Sequence, residues 1–312
     1  MTENRIPSPA VPEEPAKTPR WRFIPDTLIY LAIFLFSQLL VSLLLCLPYS
    51  MALISGELTE NVSINEATQI LTEKLYSEFL PVYTPIISIA STVIGLGALW
   101  LILRKTDPPA LKNAGFTKPE KNTVIYSLPL ALALQIFFSI LLGAILAMPG
   151  MEDTLRQMND YSSALEGPDK ILSAVALVIA APLNEELFFR GAIMRSMEKS
   201  SLNPFAAVII QALLFGVFHE LPIRIFYATL LGVILGIVRI KSRSIVPCLV
   251  LHALFNCCAY WEEAFSDETA SLILSSAPVQ IALFVFSALI ITSCLILLFR
   301  KKEQDPEAQD EA

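Results

Sequence analysis

The sequence contains little charge for its length. Only 16% of the 312 residues are charged and 54% are hydrophobic, whereas an ordinary soluble domain carries about 25% charged residues. This shortage argues against a soluble globular protein and predicts an integral membrane protein. The net charge is −7, and no basic patch with interleaved aromatic residues is present. Nucleic acid is therefore not an expected partner.

Several catalytic and metal-binding motifs are also absent. The five cysteines lie in apolar segments without CxxC spacing, so we interpret them as small buried residues and not as a disulfide or metal framework. There is no GxSxG motif. The HExxH zinc motif is incomplete, because Ile223 stands where its second histidine would be needed. The lack of a nucleophile motif favours an activated water over a covalent intermediate.

Long apolar runs are what the sequence does contain. A spanning helix needs about 20 apolar residues, and eight segments approach or exceed that length. We therefore predict an all-α integral membrane protein with about eight transmembrane helices. The candidate spans are Thr27–Leu47, Pro81–Leu103, Thr123–Met148, Ile171–Met197, Leu202–His219, Ile223–Ile240, Ile245–Tyr260 and Pro278–Phe299.

The distribution of basic residues predicts the orientation of a multi-pass protein. Cytoplasmic loops are enriched in lysine and arginine. With both termini placed in the cytoplasm, seventeen of the 22 basic residues fall on the inner side. Four fall in outer loops and one lies within a span. These five are Lys74, Arg156, Lys170, Arg224 and, in the span, Arg190.

Glu185, Glu186 and Arg190 lie deep within the fourth predicted span. An ionisable residue at the centre of a span costs about 2.5–3.5 kcal/mol on insertion scales. Glu186 and Arg190 are four residues apart, so their side chains share a helix face and can form a pair. Glu185 is rotated by about 100° from Glu186 and need not be neutralised by the same arginine. The alternative interpretation, a buried ion pair that only packs the bundle, leaves Glu185 unexplained.

Both histidines of the chain also lie in apolar segments. His219 ends the stretch LLFGVFH, and His252 precedes Asn256 by one helical turn. These groups fit peptide hydrolysis, with Glu185 as general base, His219 holding the water, and His252 and Asn256 donating hydrogen bonds to an oxyanion. A zinc ion bound by Glu185, His219 and His252 is the competing interpretation. It would leave the role of base to Glu186, and the choice between no metal and a divalent metal such as Zn²⁺ stays open.

Three short motifs resemble those of the CPBP family of CAAX-type and bacteriocin-processing intramembrane endopeptidases. EELFFRG resembles the EExxxR motif, FGVFH the FxxxH motif, and HALFN the HxxxN motif, in this order on three predicted spans. The resemblance implies an eight-helix membrane fold with its active site in an intramembrane cavity. It implies that Glu185 and His219 activate water, that His252 and Asn256 stabilise the oxyanion, and that Glu186 and Arg190 support them. The family is often described as metalloproteases, although a metal-free glutamate mechanism has been argued for it.

The resemblance divides the chain into five segments. We expect a disordered, proline-rich cytoplasmic tail at 1–25 and two transmembrane helices with an amphipathic outer loop at 26–119. The catalytic core is expected at 120–262, the last transmembrane helix at 263–300, and an acidic cytoplasmic tail at 301–312. In the outer loop, Ser63 and Glu66 have the spacing of a capping box, which predicts an amphipathic helix on the outer surface.

The predicted function is that of an intramembrane endopeptidase for CAAX-type or other membrane-associated substrates. Its expected partners are membrane lipid and a peptide or lipidated protein, and the sequence does not predict an oligomeric state. Two alternatives are a non-catalytic membrane scaffold or immunity protein and an ion- or proton-coupled transporter. Transport would be expected to show two related halves, and no internal repeat is found. Gly232 and Gly236 form a GxxxG motif, which favours close helix packing over a dimer interface.

Overall fold

Every regular element among the described residues is helical, which confirms the predicted all-α fold. The computed structural model describes 20–57, 62–105, 110–165, 167–264 and 276–300. The greater part of the predicted N-terminal tail, and the predicted C-terminal tail, lie outside these residues. In chain order the helices are α1 (Phe23–Glu57), α2 (Ile64–Lys74), α3 (Leu80–Leu103), α4 (Ala110–Asn113), α5 (Lys121–Leu146), α6 (Glu152–Leu165), α7 (Lys170–Ala174), α8 (Ala181–Glu186), α9 (Met194–Lys199), α10 (Pro204–Val217), α11 (Pro222–Ser242), α12 (Val246–Ala264) and α13 (Ala277–Phe299).

Six helical runs in the described residues are long and apolar enough to cross a membrane, which supports an integral membrane protein. The fifth and seventh predicted spans correspond to shorter apolar helices, Pro204–Val217 and Val246–Tyr260. A 14-residue helix extends for about 21 Å, less than the roughly 30 Å hydrocarbon thickness of a bilayer. The predicted total of eight spans is therefore not confirmed.

The fourth span is one continuous helical run, Lys170–Lys199, that contains two π-helical segments. The first, Val175–Ala180, ends just before Pro182. There the Ala181 N–H donates to the Ala176 carbonyl, five residues back, and Pro182 has no N–H. The carbonyl of Leu177 is consequently left without a donor from its own helix. The second π-helical segment, Leu187–Ile193, follows the two glutamates directly, and such segments occur frequently at functional sites.

The predicted capping box forms at the start of α2. The Glu66 N–H donates to Ser63 Oγ (3.3 Å), and the Ser63 N–H donates to Glu66 Oε2 (3.1 Å). The helix does not stop before the second span, however. Leu75 keeps right-handed helical torsion angles, φ −61° and ψ −42°, so the chain continues through a π-helical segment into α3. The result is a single run, Ile64–Leu103, where the sequence predicted a separate helix on the surface.

The second outer loop contains a helix that the sequence analysis did not identify. This loop joins the third and fourth predicted spans, and α6 occupies much of it. Glu152 and Asp153 lie in its first turn, where negative charge interacts favourably with the helix dipole.

Helices α10 and α11 pack closely against each other through the GxxxG motif. A Cβ atom on Gly232 would lie 3.1 Å from the Cα of Ala212, and one on Gly236 would lie 2.6 Å from Gln211 Nε2. The two glycines therefore allow α10 and α11 of the same chain to approach closely, as the GxxxG motif predicted. This contact fixes α10, whose C-terminal end leads directly into the turn that carries His219, against α11.

Aromatic packing covers the back of the fourth span. The ring of Phe34 in α1 lies 5.4 Å from that of Phe188 and 5.5 Å from that of Phe189, measured between centroids. Both rings of the fourth span are fully buried. The first transmembrane helix thus packs directly against the segment that carries the charged residues.

Candidate active site

The two adjacent glutamates of the fourth span have different environments. The Glu186 side chain is 0% exposed, whereas that of Glu185 is 21% exposed. The predicted ion pair forms, with 2.8 Å between Arg190 Nη1 and Glu186 Oε1. One carboxylate is therefore enclosed and paired, and the other remains accessible.

Arg190 is held on several sides within the bundle. Besides its bond to Glu186, its Nη2 donates to the carbonyl of Gly232 in α11 (3.3 Å). Its guanidinium carbon lies 4.5 Å from the centroid of the Phe215 ring, a distance at which a cation interacts favourably with an aromatic face. The same Gly232 carbonyl accepts a hydrogen bond from Gln211 Nε2 (2.8 Å). These contacts join the fourth span to α10 and α11 around one buried positive charge.

His252 lies between the two carboxylates. Its Nδ1 is 2.8 Å from Glu186 Oε1 and its Nε2 is 3.6 Å from Glu185 Oε2. The first distance is that of a hydrogen bond, in which an ionised Glu186 can only accept, so Nδ1 carries a proton. The second distance is too long for a direct bond. The sequence analysis assigned His252 to the oxyanion and did not predict its contact with Glu186.

Phe215 brings the two histidines together. Its ring centroid lies 4.8 Å from that of His219 and 5.9 Å from that of His252. His219 Nδ1 is 3.0 Å from the Phe215 carbonyl. Because a carbonyl only accepts, Nδ1 must carry the proton, and Nε2 is left as a hydrogen-bond acceptor. The first residue of the FxxxH motif thus sets the tautomer of the last.

Asn256 contacts the backbone of the fourth span. Its Nδ2 donates to the carbonyl of Leu177 (2.9 Å), the group that the π-helical segment before Pro182 leaves without a donor. This bond fastens α12 to the fourth span. Within the described residues no hydrogen bond joins Asn256 to the glutamates or histidines, and its second amide hydrogen has no partner.

Arg224 and Tyr161 were not predicted as site residues. Arg224 lies in the first turn of α11, and its guanidinium carbon is 3.6 Å from the centroid of the Tyr161 ring in α6. Arg224 lies within electrostatic range of Glu185 and His219. Burial raises the pKa of the Tyr161 hydroxyl, so that it stays protonated at neutral pH. The available sequence signal was the position of Arg224 five residues after His219.

The candidate residues do not fit a metal site. Among the described residues, no three histidine, cysteine, aspartate or glutamate side chains are grouped so that they could hold a metal ion. The Nδ1 atoms of His252 and His219 bond to Glu186 and to a backbone carbonyl, as the second nitrogen of a metal-binding histidine also does. It is the grouping of the possible zinc ligands Glu185, His219 and His252 that does not form a ligand set.

Two cavities of the described residues lie away from the candidate site. One is lined by residues between Leu146 and Asp160, and a second by residues between Asn65 and Glu73. Neither includes the glutamates or the histidines. The location of the active site in an intramembrane cavity thus stays a prediction.

Comparison with known families gives one match. Residues 167–258 match a family described as "Type II CAAX prenyl endopeptidase Rce1-like". The chain carries an Rce1-like domain of the CPBP family. This match confirms the predicted family, and the Rce1-like domain contains all six residues that the sequence analysis singled out. No curated protein and no solved structure gives a significant match.

Proposed function

We propose that this protein is an intramembrane endopeptidase in which Glu185 and His219 activate the attacking water. The contrast between the two glutamates carries the proposal, because only Glu185 is accessible while Glu186 is enclosed by its partners. A general base must be reachable by water and substrate. A carboxylate already committed to an arginine and a histidine is poorly suited to that role.

The proposed reaction uses the free nitrogen of His219 and the carboxylate of Glu185. His219 Nε2 accepts a hydrogen bond from the water, and Glu185 takes a proton as the water oxygen bonds to the peptide carbonyl carbon. When the C–N bond breaks, that proton passes to the leaving amine. No metal ion takes part in these steps.

His252 and Asn256 are proposed to stabilise the oxyanion of the tetrahedral intermediate. Asn256 keeps one amide hydrogen after its bond to Leu177. His252 can donate from Nε2 when that nitrogen is protonated, and the positive charge would then lie between two carboxylates. Glu186 and Arg190 act as positioning residues that fix the imidazole. Donors fixed in advance are effective because they need no reorganisation during the reaction.

The proposed substrates are CAAX-type proteins or other membrane-associated peptides, including lipidated ones. The proposal includes a catalytic core at 120–262 and both termini in the cytoplasm. The distribution of basic residues supports this orientation.

The test uses the purified full-length protein in lipid nanodiscs. The probes are a quenched-fluorescence peptide that ends in a prenylated Cys-aliphatic-aliphatic-X sequence and its unprenylated twin. We expect Glu185→Gln and His219→Asn to lower kcat by about 10²–10⁴-fold. Glu73→Gln, a control at an exposed glutamate of α2, should leave cleavage unchanged.

The alternatives predict different results. Cleavage that survives in folded Glu185→Gln and His219→Asn proteins would overturn the mechanism. A wild-type protein that cleaves neither peptide would favour a non-catalytic scaffold or a transporter. A preference for the prenylated peptide would support CAAX processing, and equal cleavage of both peptides would support a broader substrate class.

A further inference from the structure

Arg224 lies beside the candidate site, and its positive charge has no hydrogen-bonded partner among the described residues. Its Nε atom is buried and has no hydrogen-bond partner among the described residues. No ion pair within 4.0 Å involves Arg224 in that part of the chain. Charged groups taken out of water are normally paired. An arginine in this setting is expected to have a partner that the described residues do not supply.

Stacking on Tyr161 uses none of the N–H groups of the guanidinium as hydrogen-bond donors. The 3.6 Å between the guanidinium carbon and the ring centroid places the flat face of Arg224 against the ring. The N–H groups of a guanidinium point outward in its own plane, so a stacked arginine can still bind a carboxylate with two parallel hydrogen bonds. Tyr161 therefore orients Arg224 without occupying its donors.

A short turn fixes Arg224 relative to His219. The His219 N–H donates to the Gly216 carbonyl (2.9 Å), and the Leu221 N–H donates to the His219 carbonyl (2.7 Å). Between them, Glu220 adopts a left-handed conformation with φ 60°. α11 begins directly after this turn, so Arg224 is held at the same end of the α10–α11 pair as the proposed catalytic histidine.

Neither nearby carboxylate acts as a fixed counterion. Glu220 is exposed and lies in the turn, and no ion pair joins it to Arg224. Among the described residues Glu185 forms no ion pair with Arg224, and its Oε2 lies 3.6 Å from His252 Nε2. A purely structural role for Arg224 as a clip for α6 would explain the stacking. It would not explain the buried Nε without a partner.

We propose that Arg224, oriented by Tyr161, binds a carboxylate of the peptide substrate. This inference rests on the proposed endopeptidase function and adds a specificity determinant to it. The carboxylate has two possible sources, the C-terminus of the peptide and an acidic side chain near the cleaved bond. Both would meet the same pair of N–H donors.

The test compares peptides that differ only in charge. One quenched-fluorescence peptide carries a free C-terminal acid and its twin a C-terminal amide. A second pair carries glutamate or glutamine near the cleaved bond. With the wild-type protein in nanodiscs, we expect the acid form of at least one pair to have a KM lower by about 10–100-fold, the usual effect of a charged hydrogen bond.

Substitutions of Arg224 and Tyr161 should change only the difference in KM between the acid and neutral peptides. Arg224→Gln should raise KM for the acid peptide to the value for its neutral twin, with kcat changed by less than about threefold. Arg224→Lys should restore part of the preference, and Tyr161→Phe should keep it because the ring remains. Arg156→Gln is the matched control, since Arg156 is an arginine of α6 that is 73% exposed, and it should have no effect.

Several results would overturn the inference. One is an equal loss of cleavage for acid and neutral peptides in Arg224→Gln, which indicates a structural role or a general electrostatic one. Another is a wild-type protein without any acid preference. If Arg224→Gln removes the acid preference of only one peptide pair, that pair shows whether the carboxylate is the C-terminus or an acidic side chain.

Binding separates this inference from the proposed function. Fluorescence anisotropy of the same peptides, labelled and added to Glu185→Gln protein, requires no cleavage. Acid-selective binding that Arg224→Gln abolishes would support the subsite even if no peptide is cleaved. Binding without acid selectivity, or no binding, would overturn the subsite even if the endopeptidase activity is real.

Discussion

The ion pair between Glu186 and Arg190 offers the strongest test of the described packing. Both side chains are 0% exposed and their nearest atoms are 2.8 Å apart. Glu186→Ala removes the acceptor for Arg190 and for His252 and leaves a buried guanidinium without its carboxylate. Breaking a buried pair from one side costs about 3–5 kcal/mol. Arg190→Met should cost less, about 2–3 kcal/mol, because Glu186 keeps the hydrogen bond from His252.

The double substitution Glu186→Ala/Arg190→Met distinguishes a stranded charge from lost packing. No unpaired charge remains in it, so its cost should fall below the sum of the two single costs by at least about 2 kcal/mol. The free energy of unfolding is measured by titrating the purified protein with denaturing detergent in mixed micelles. Far-ultraviolet circular dichroism of each variant shows whether it starts from the folded state.

An exposed pair in the same protein is the control. Asp153 and Arg156 also lie 2.8 Å apart, but they are 83% and 73% exposed. Asp153→Ala should cost at most about 1 kcal/mol and couple weakly to Arg156→Met. The reasoning fails if the buried pair behaves additively to within about 0.5 kcal/mol, or if the exposed pair couples as strongly as the buried one.

Three further predictions concern packing, the backbone of the fourth span and metal. Gly236→Ala should lower the melting temperature because its Cβ would lie 2.6 Å from a buried glutamine amide. Gly97→Ala is the control and should leave the melting temperature unchanged, because its Cβ would have no atom within 4 Å. Equal melting temperatures of the two variants would contradict this prediction. Asn256→Ala should cost about 1–3 kcal/mol by stranding the Leu177 carbonyl. It should cost less in a Pro182→Ala background, where residue 182 regains an N–H, and an unchanged cost would refute the explanation. A chelator should leave peptide cleavage unchanged, whereas a loss that Zn²⁺ restores would contradict the metal-free proposal.

The sequence predicted the pairing within the fourth span because that pairing is local. Residues four apart on a helix share a face whatever surrounds them, so the Glu186–Arg190 bond and the separate position of Glu185 followed from spacing. The partner of His252 could not be predicted in this way. Its contact with Glu186 joins residues that are 66 positions apart and depends on how α12 packs against the fourth span.

Asn256 and Arg224 show two other limits. The role of Asn256 depends on a π-helical segment before Pro182, and a proline in a sequence indicates a lost N–H but not which side chain replaces it. Arg224 was assigned to an outer loop by the distribution of charge. That assignment could not show its stacking on Tyr161, because α6 was not predicted. Because the α6 segment is polar, a search for apolar runs does not find this helix, which packs beside the transmembrane bundle.

Helix lengths were predicted less well than helix positions. All eight apolar segments correspond to helices, but the one at 202–219 begins two residues later, at Pro204, and ends at Val217. Asn203 caps this helix by accepting hydrogen bonds from the N–H groups of Phe205 and Ala206. The last two residues of the predicted span, Phe218 and His219, lie in the short turn before α11. Hydropathy alone does not separate apolar residues in a turn from those in a helix.

The segment before α5 lies outside the proposed catalytic core at 120–262, yet we expect the core to need this segment for its stability. Asn113 Oδ1 accepts hydrogen bonds from Arg195 Nε (3.0 Å) and Lys199 Nζ (2.8 Å) at the end of the fourth span. The Gly115 carbonyl accepts from the Ile245 N–H (3.0 Å), and Ser244 Oγ donates to the Thr117 carbonyl (2.7 Å). These bonds join the 110–118 segment to the fourth span and to the α11–α12 turn.

Two fragments, each lacking the first two spans, test this argument. One begins at 110 and the other at 120. Loss of the first spans exposes Phe188 and Phe189 to lipid in both, and lipid tolerates such rings because it is as apolar as the protein interior. Loss of 110–119 additionally leaves polar groups of Arg195, Ser244 and Ile245 without their hydrogen-bond partners. We therefore expect the fragment from 120 to unfold at a lower temperature after detergent extraction. Equal stability of the two fragments would show that the core begins where the motif resemblance begins.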